Sequence, residues 1–138
     1  MIQESRLVDL FKKLCLIDAP AYHEGHCKEF LAGHLTELGL EVWEDEAGDT
    51  IGGTCNNVLA RLPGNKEGVP GVFFSAHMDT VEPTAGLKII EREGTLYSDG
   101  TTILGADDKA GLAPIIEAVR SVMEDGKPHG DIYLLFSV

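Results

Sequence analysis

No apolar run in this sequence approaches the ~18 residues that a membrane-crossing helix needs. The amino terminus, MIQESRLVDLFKKL, is charged and amphipathic, unlike the basic-then-apolar pattern of a secretory leader. Basic residues are scarce: 11 Lys and Arg stand against 23 Asp and Glu, a net charge of −12. That balance excludes nucleic acid and anionic membrane as expected partners, because both need a basic face. Cysteine is limited to Cys15, Cys27 and Cys55, an odd number without a C-x-x-C pair. A disulfide framework is therefore not expected, and a reducing, cytoplasmic setting is. Repeats and low-complexity segments are absent. So are several catalytic signatures. There is no G-x-G-x-x-G for a dinucleotide and no G-x-S-x-G elbow for a serine nucleophile. Gly100 and Gly105 have the Walker spacing, but Ala106-Asp107 follows where Lys-Ser/Thr is required.

What is present is an ordinary globular composition, 43% hydrophobic and 25% charged over 138 residues. A chain of that size buries roughly 70% of its unfolded surface, enough for one domain. Leu7, Leu10, Phe11 and Leu14 recur at helical spacing and predict a helix over 4–17, closed before Pro20. Cys27, Phe30, Leu31, Leu35 and Leu38 predict a second over 23–38, stopped by Gly39. His34 lies on or near that stripe and reads as a packing residue, with His23, Glu24 and His26 as surface or capping groups. His23 and Cys27 have an i, i+4 spacing that can hold a metal, but no further ligand lies near in sequence. EVWEDE (41–46) reads as an edge strand, 47–57 as turn or loop, and NVLARL (57–62) as a strand closed by Pro63-Gly64. VFFSA (72–76) reads as a strand covered on both faces. Residues 87–93 and 95–98 form a hairpin around Gly94. Residues 109–123 form a helix and DIYLLFSV (131–138) a further buried strand. The order predicts an α/β fold with a mixed sheet and flanking helices.

Two candidate motifs lie 30 residues apart. In His77-Met78-Asp79, extended residues i and i+2 point to one side, so Asp79 can accept a hydrogen bond from one imidazole nitrogen and leave the other free for a metal. H-x-D is common by chance, but this one ends an apolar strand, where open α/β sheets place their sites. Asp107-Asp108 precedes a helix. Its plain alternative is helix capping. Its functional reading is a carboxylate bridging two divalent ions, which two-metal hydrolases hold ~3.5–4 Å apart. Gly105 and Gly111 allow a tight backbone around it.

HMDTVEP with SDGTTILGADDKAG resembles the peptidase T-like branch of the two-zinc exopeptidases, a family that also includes aminoacylase and carboxypeptidase G. The resemblance runs from the first helix and the LIDAP segment to LLFSV. It implies that residues 1–138 are the amino-terminal half of a single catalytic domain (phosphorylase/hydrolase-like), with the lid or dimerisation domain absent. It implies His77 as a terminal zinc ligand and Asp79 as the catalytic carboxylate that orients it. Asp107 would be the bridging ligand and Asp108 the supporting residue after it, often joined by a non-proline cis peptide. The implied cofactor is a pair of Zn2+ ions, with Co2+ or Mn2+ fitting similar donors. The implied activity is aminopeptidase-like hydrolysis of short peptides.

The family's Glu-Glu pair, general base and ligand, follows a strand like DIYLLFSV and has no counterpart here. Glu117 and Glu124 precede that strand and do not match. The expectation is a truncated chain that binds zinc weakly and is inactive alone. Two alternatives stand beside it. One is a natural binding or structural module that pairs its unfinished sheet edge with another chain, as in a homo-oligomer. The other is an amidohydrolase acting on N-acyl amino acids.

Overall fold

A computed structural model describes residues 1–138. Helix α1 spans Glu4–Cys15, with Glu4 in its first turn and Lys12 and Lys13 in its last, each favourably placed on the helix dipole. Leu10, Leu14 and Cys15 are its buried side. Helix α2 spans Gly25–Glu37 and buries Cys27, Leu31 and Leu35. Both match the predicted helices to within two residues at each end. Strand β1 (Glu41–Glu44) follows, then a five-residue helix α3 (Ala47–Ile51) where the sequence reads as loop. So short a helix carries no 3.6-residue stripe for periodicity to detect.

Strands β2 (Val58–Leu62), β3 (Val72–His77) and β6 (Ile132–Ser137) complete a four-stranded sheet in the order β1-β2-β6-β3. The pairs β1–β2 and β2–β6 are antiparallel, while β3 runs parallel to β6. The sheet is therefore mixed, as the element order predicts. Between β3 and β6 lie the hairpin β4 (Ile89–Arg92) and β5 (Thr95–Ser98), turned at Glu93-Gly94, and the long helix α4 (Ala106–Asp125). Helix α1 packs on α4, α4 on β3, and α2 on β1 and β2. One core of 20 buried residues results, drawn from all these helices and the sheet.

Along β6, Ile132, Leu134 and Phe136 are buried while Tyr133 between them is exposed. The helices thus cover one face of the sheet. Strand β3 departs from the expected double burial. It is an edge strand, and Val72, Phe73 and Phe74 are 47%, 61% and 41% exposed. A short apolar run marks a strand suited to being covered; it cannot say whether this chain supplies the cover. Glu24, expected as a surface or capping group, holds the N-cap position of α2 but is buried and makes no side-chain cap bond. Its carboxylate accepts a hydrogen bond from the Tyr22 backbone N–H at 2.8 Å. No helix is long and apolar enough to cross a membrane.

Candidate active site

The carboxyl end of β3 and the start of α4 meet at one point, and the two sequence motifs meet there. His77 is the last residue of β3, paired with Ser137 of β6. The next backbone N–H, of Met78, donates to the Ser137 carbonyl at 2.7 Å, so the chain leaves the sheet held in register. The loop beyond is clamped by the segment after α1. Thr80 N–H donates to the Ala19 carbonyl at 2.8 Å, and the Thr84 N–H donates to the Asp18 carboxylate. The LIDAP segment therefore fixes the loop that carries Asp79.

On the other side, Gly105 precedes α4 with φ +74°, a left-handed conformation glycine adopts without strain. A Cβ there would lie 3.1 and 3.3 Å from the methyl groups of Thr84 and Thr80, so Gly105 also lets the two loops approach. Asp107 and Asp108 are non-helical, and the peptide between them is cis. Regular helix follows them, which agrees with the predicted start at Lys109. Pro114 lies inside α4 near its start. Gly111 faces back onto Asp108: a Cβ at 111 would lie 2.7 Å from both Cγ and Oδ2 of that carboxylate.

These elements bring three of the four candidate side chains into contact. His77 Nε2 lies 3.0 Å from Asp107 Oδ1, across 30 residues of chain. His77 Nδ1 lies 2.9 Å from Asp79 Oδ1 and 3.0 Å from the Asp79 backbone carbonyl oxygen. Asp108 stands behind, against Gly111. Partial burial works against the charged imidazole. The hydrogen bond to Asp107 and the charge and hydrogen bonds of Asp79 outweigh it, so the His77 pKa is raised above its ordinary value. Both ring nitrogens face oxygen acceptors, and the doubly protonated ring satisfies both. The Asp107 side chain is 90% exposed, open toward solvent on the side away from His77.

His77 Nε2 and Asp107 Oδ1 converge as two donors to one cation would, and they are of the nitrogen and carboxylate types that zinc accepts. No group of three or more His, Cys, Asp or Glu side chains is arranged to hold a metal ion, because Asp79 faces Nδ1 on the other side of the His77 ring from Asp107. His23 and Cys27 do not form such a site either: His23 is exposed and Cys27 is buried against Lys109. Glu117 is buried and bound to Arg6, Ser121 and the Gln3 backbone, while Glu124 is held by Arg6 and Arg120. Both carboxylates belong to the contact between α1 and α4.

Sequence reasoning missed Lys109. It is fully buried, and its ammonium donates to the Met78 carbonyl oxygen and lies 3.1 Å from Cys27 Sγ. A lysine one residue into a predicted helix reads as a surface charge, and nothing local signals a partner 31 residues away.

No family model matches the chain. It is 39% identical over 138 residues to the uncharacterized protein YqjE of Bacillus subtilis, spanning all of this chain and 37% of that one. It is 34% identical to Peptidase T of Halothermothrix orenii, over 83% of this chain and 35% of that protein. Among solved structures, aminopeptidase PepT from Bacillus cereus superposes with a TM-score of 0.95 at 42% identity, over 99% of this chain and 37% of that one. A tripeptidase from Staphylococcus aureus gives 0.94 at 40% identity, over 100% of this chain and 37% of its own. Sequence and structure alike make this chain a homologue of the amino-terminal part of peptidase T-type enzymes. It spans little more than a third of the length of the relatives it matches.

Proposed function

We propose that this chain forms one wall of a two-metal peptidase site, in a parent protein that removes residues from the amino terminus of short peptides. The observation that carries the reading is the 3.0 Å approach of His77 Nε2 to Asp107 Oδ1 at the carboxyl end of β3. A histidine on one side and a carboxylate with a second, unoccupied oxygen on the other suit a terminal ligand and a bridging one. The donor types favour zinc, with cobalt or manganese next. Ions held there would supply Lewis acidity and a water of lowered pKa.

This chain's own residues orient that chemistry. Asp79 holds His77 Nδ1, which fixes the ring and directs Nε2 toward Asp107. Asp108 and Gly111 back the turn that presents Asp107. Glu117 and Glu124 are not free to act as a general base beside this pair, because both are bound to Arg6. Residues 1–138 alone therefore bind zinc weakly and do not cleave peptides. The three free, buried cysteines suit a cytoplasmic setting.

Two measurements test this. Calorimetry with zinc on the 138-residue chain should give weak binding, and a tripeptide assay should give no turnover. Tight stoichiometric zinc binding or robust cleavage by this chain overturns the reading. In the parent, His77→Ala and Asp107→Asn should each abolish hydrolysis. The Peptidase T names of the relatives support a peptide substrate over an N-acyl amino acid. A second reading, a module that pairs through its sheet edge with another copy, is favoured by one observation: the open, apolar β3 edge.

A further inference from the structure

Lys109 is among the largest fully buried side chains in the molecule, and carries a charge. Burying an ammonium is costly, and an apolar residue of the same length would fill the volume without that cost. What the ammonium adds is directed donors. One goes to the Met78 carbonyl oxygen, and a second partner is Cys27 Sγ at 3.1 Å on α2. Met78 is itself fully buried and stands between His77 and Asp79. Its N–H is tied to Ser137 of β6 and its C=O to Lys109, so this residue is held on both sides. Lys109 in turn follows Asp107 and Asp108 in the chain. One side chain thus links the loop carrying His77 and Asp79 to the turn carrying Asp107.

We propose that Lys109 is a positioning residue that sets the approach of His77 to Asp107. The strut runs from the start of α4 to the Met78 carbonyl. It makes the separation of the two motifs a property of the buried core, while the site residues themselves remain partly exposed. Cys27 anchors the same ammonium to α2 and plays no part in the spacing. The inference rests on the proposed function in one respect: the pair that Lys109 positions is the pair assigned there to metal binding.

The test uses the isotopically labelled 138-residue chain without metal. In the unaltered chain, nuclear magnetic resonance should show a Lys109 ammonium signal with slow proton exchange and a coupling across the hydrogen bond to the Met78 carbonyl carbon. In Lys109→Met, with the fold retained by circular dichroism, His77 Nε2 should lose its hydrogen bond to Asp107 while Nδ1 keeps its contact with Asp79. In Cys27→Ala the His77 signals should be unchanged. A folded Lys109→Met with an unaltered His77 ring overturns the proposal. So does a Lys109 ammonium that exchanges as fast as the surface lysines, and that measurement decides the matter if Lys109→Met does not fold. Zinc enters none of these readouts. Failure of the parent to bind zinc would sink the two-metal reading and leave the strut standing.

Discussion

The Nδ1 nitrogen of His77 lies 2.9 Å from the carboxylate of Asp79, two residues further along the chain. The same nitrogen also faces the Asp79 backbone carbonyl at 3.0 Å. The carboxylate adds charge to an orientation that the backbone already favours. Removing it should loosen the ring and lower its basicity without undoing the turn. In the parent protein, Asp79→Ala is expected to weaken zinc binding by about 10–100-fold, the usual effect of losing a carboxylate behind a ligating histidine. Calorimetry with a competing chelator measures this. Unchanged affinity would remove Asp79 from the site.

Arg6 clamps two carboxylates of α4. Its guanidinium lies 2.6 Å from Glu117 Oε2 and 2.6 Å from Glu124 Oε1. Glu117 is only 2% exposed, so its charge depends on that partner. The Arg6 hydrogen bond holds the Glu117 pKa below the ordinary value of 4.5, against the opposing effect of burial. Glu124, also bound by Arg6 and Arg120, falls to about 2. A carboxylate with a depressed folded-state pKa contributes stability above its unfolded value and loses it as pH falls through the folded one. The chain is therefore expected to lose stability progressively below about pH 4.5. Arg6→Met strands Glu117 and should cost about 3 kcal/mol at neutral pH. It should also flatten the acid limb. Urea titrations of both proteins at pH 7 and pH 3 check this, and an equal acid limb in the variant would refute it.

The pairing that makes up the candidate site was legible in the sequence where the signal was local. His77 and Asp79 sit two apart on an extended segment, and the Asp107-Asp108 pair sits just ahead of an amphipathic helix. Both patterns can be read without knowing what they pack against. The mixed sheet was legible from the order of strands and helices. The Lys109 link was not, because its partners, Met78 and Cys27, lie 31 and 82 residues away. The exposure of Phe73 was not legible either. VFFSA has the composition of a covered strand, and the neighbours that leave it uncovered are settled by topology. The place of Glu117 before β6 already set it apart from the glutamate that the resemblance implies, but its pairing with Arg6 depends on α1 packing against α4.

Gly111 leaves room for the Asp108 side chain. A methyl group there would meet both carboxylate oxygens and Cγ of Asp108, whose short side chain has little freedom to retreat. Elsewhere in a helix, glycine to alanine gains helix propensity. Here overpacking should win, and Gly111→Ala is expected to destabilise the chain by about 1–3 kcal/mol. In the parent it should also reduce activity, since the displaced carboxylate adjoins Asp107. A thermal melt of this variant against Gly33→Ala separates the two effects, because a Cβ at Gly33 would meet nothing within 4 Å beyond its own stretch of helix. A Gly111→Ala protein as stable as Gly33→Ala would contradict the packing argument.

Strand β3 leaves one edge of the four-stranded sheet unpaired, and Phe73 on it is 61% exposed beside Tyr133 of β6. An apolar edge strand presents unpaired backbone groups and a greasy surface at once, which makes it a template for another strand. Neither proline nor a charged residue interrupts Val72–Ala76. Copies of the 138-residue chain are therefore expected to associate through β3 as concentration rises. Phe73→Lys should suppress this with little effect on folding, because the side chain already faces solvent and a lysine on an edge opposes strand addition. Sedimentation velocity over a hundredfold concentration range distinguishes the outcomes. A wild-type chain that stays monomeric throughout, or a Phe73→Lys chain that associates equally, would show that β3 is not the contact.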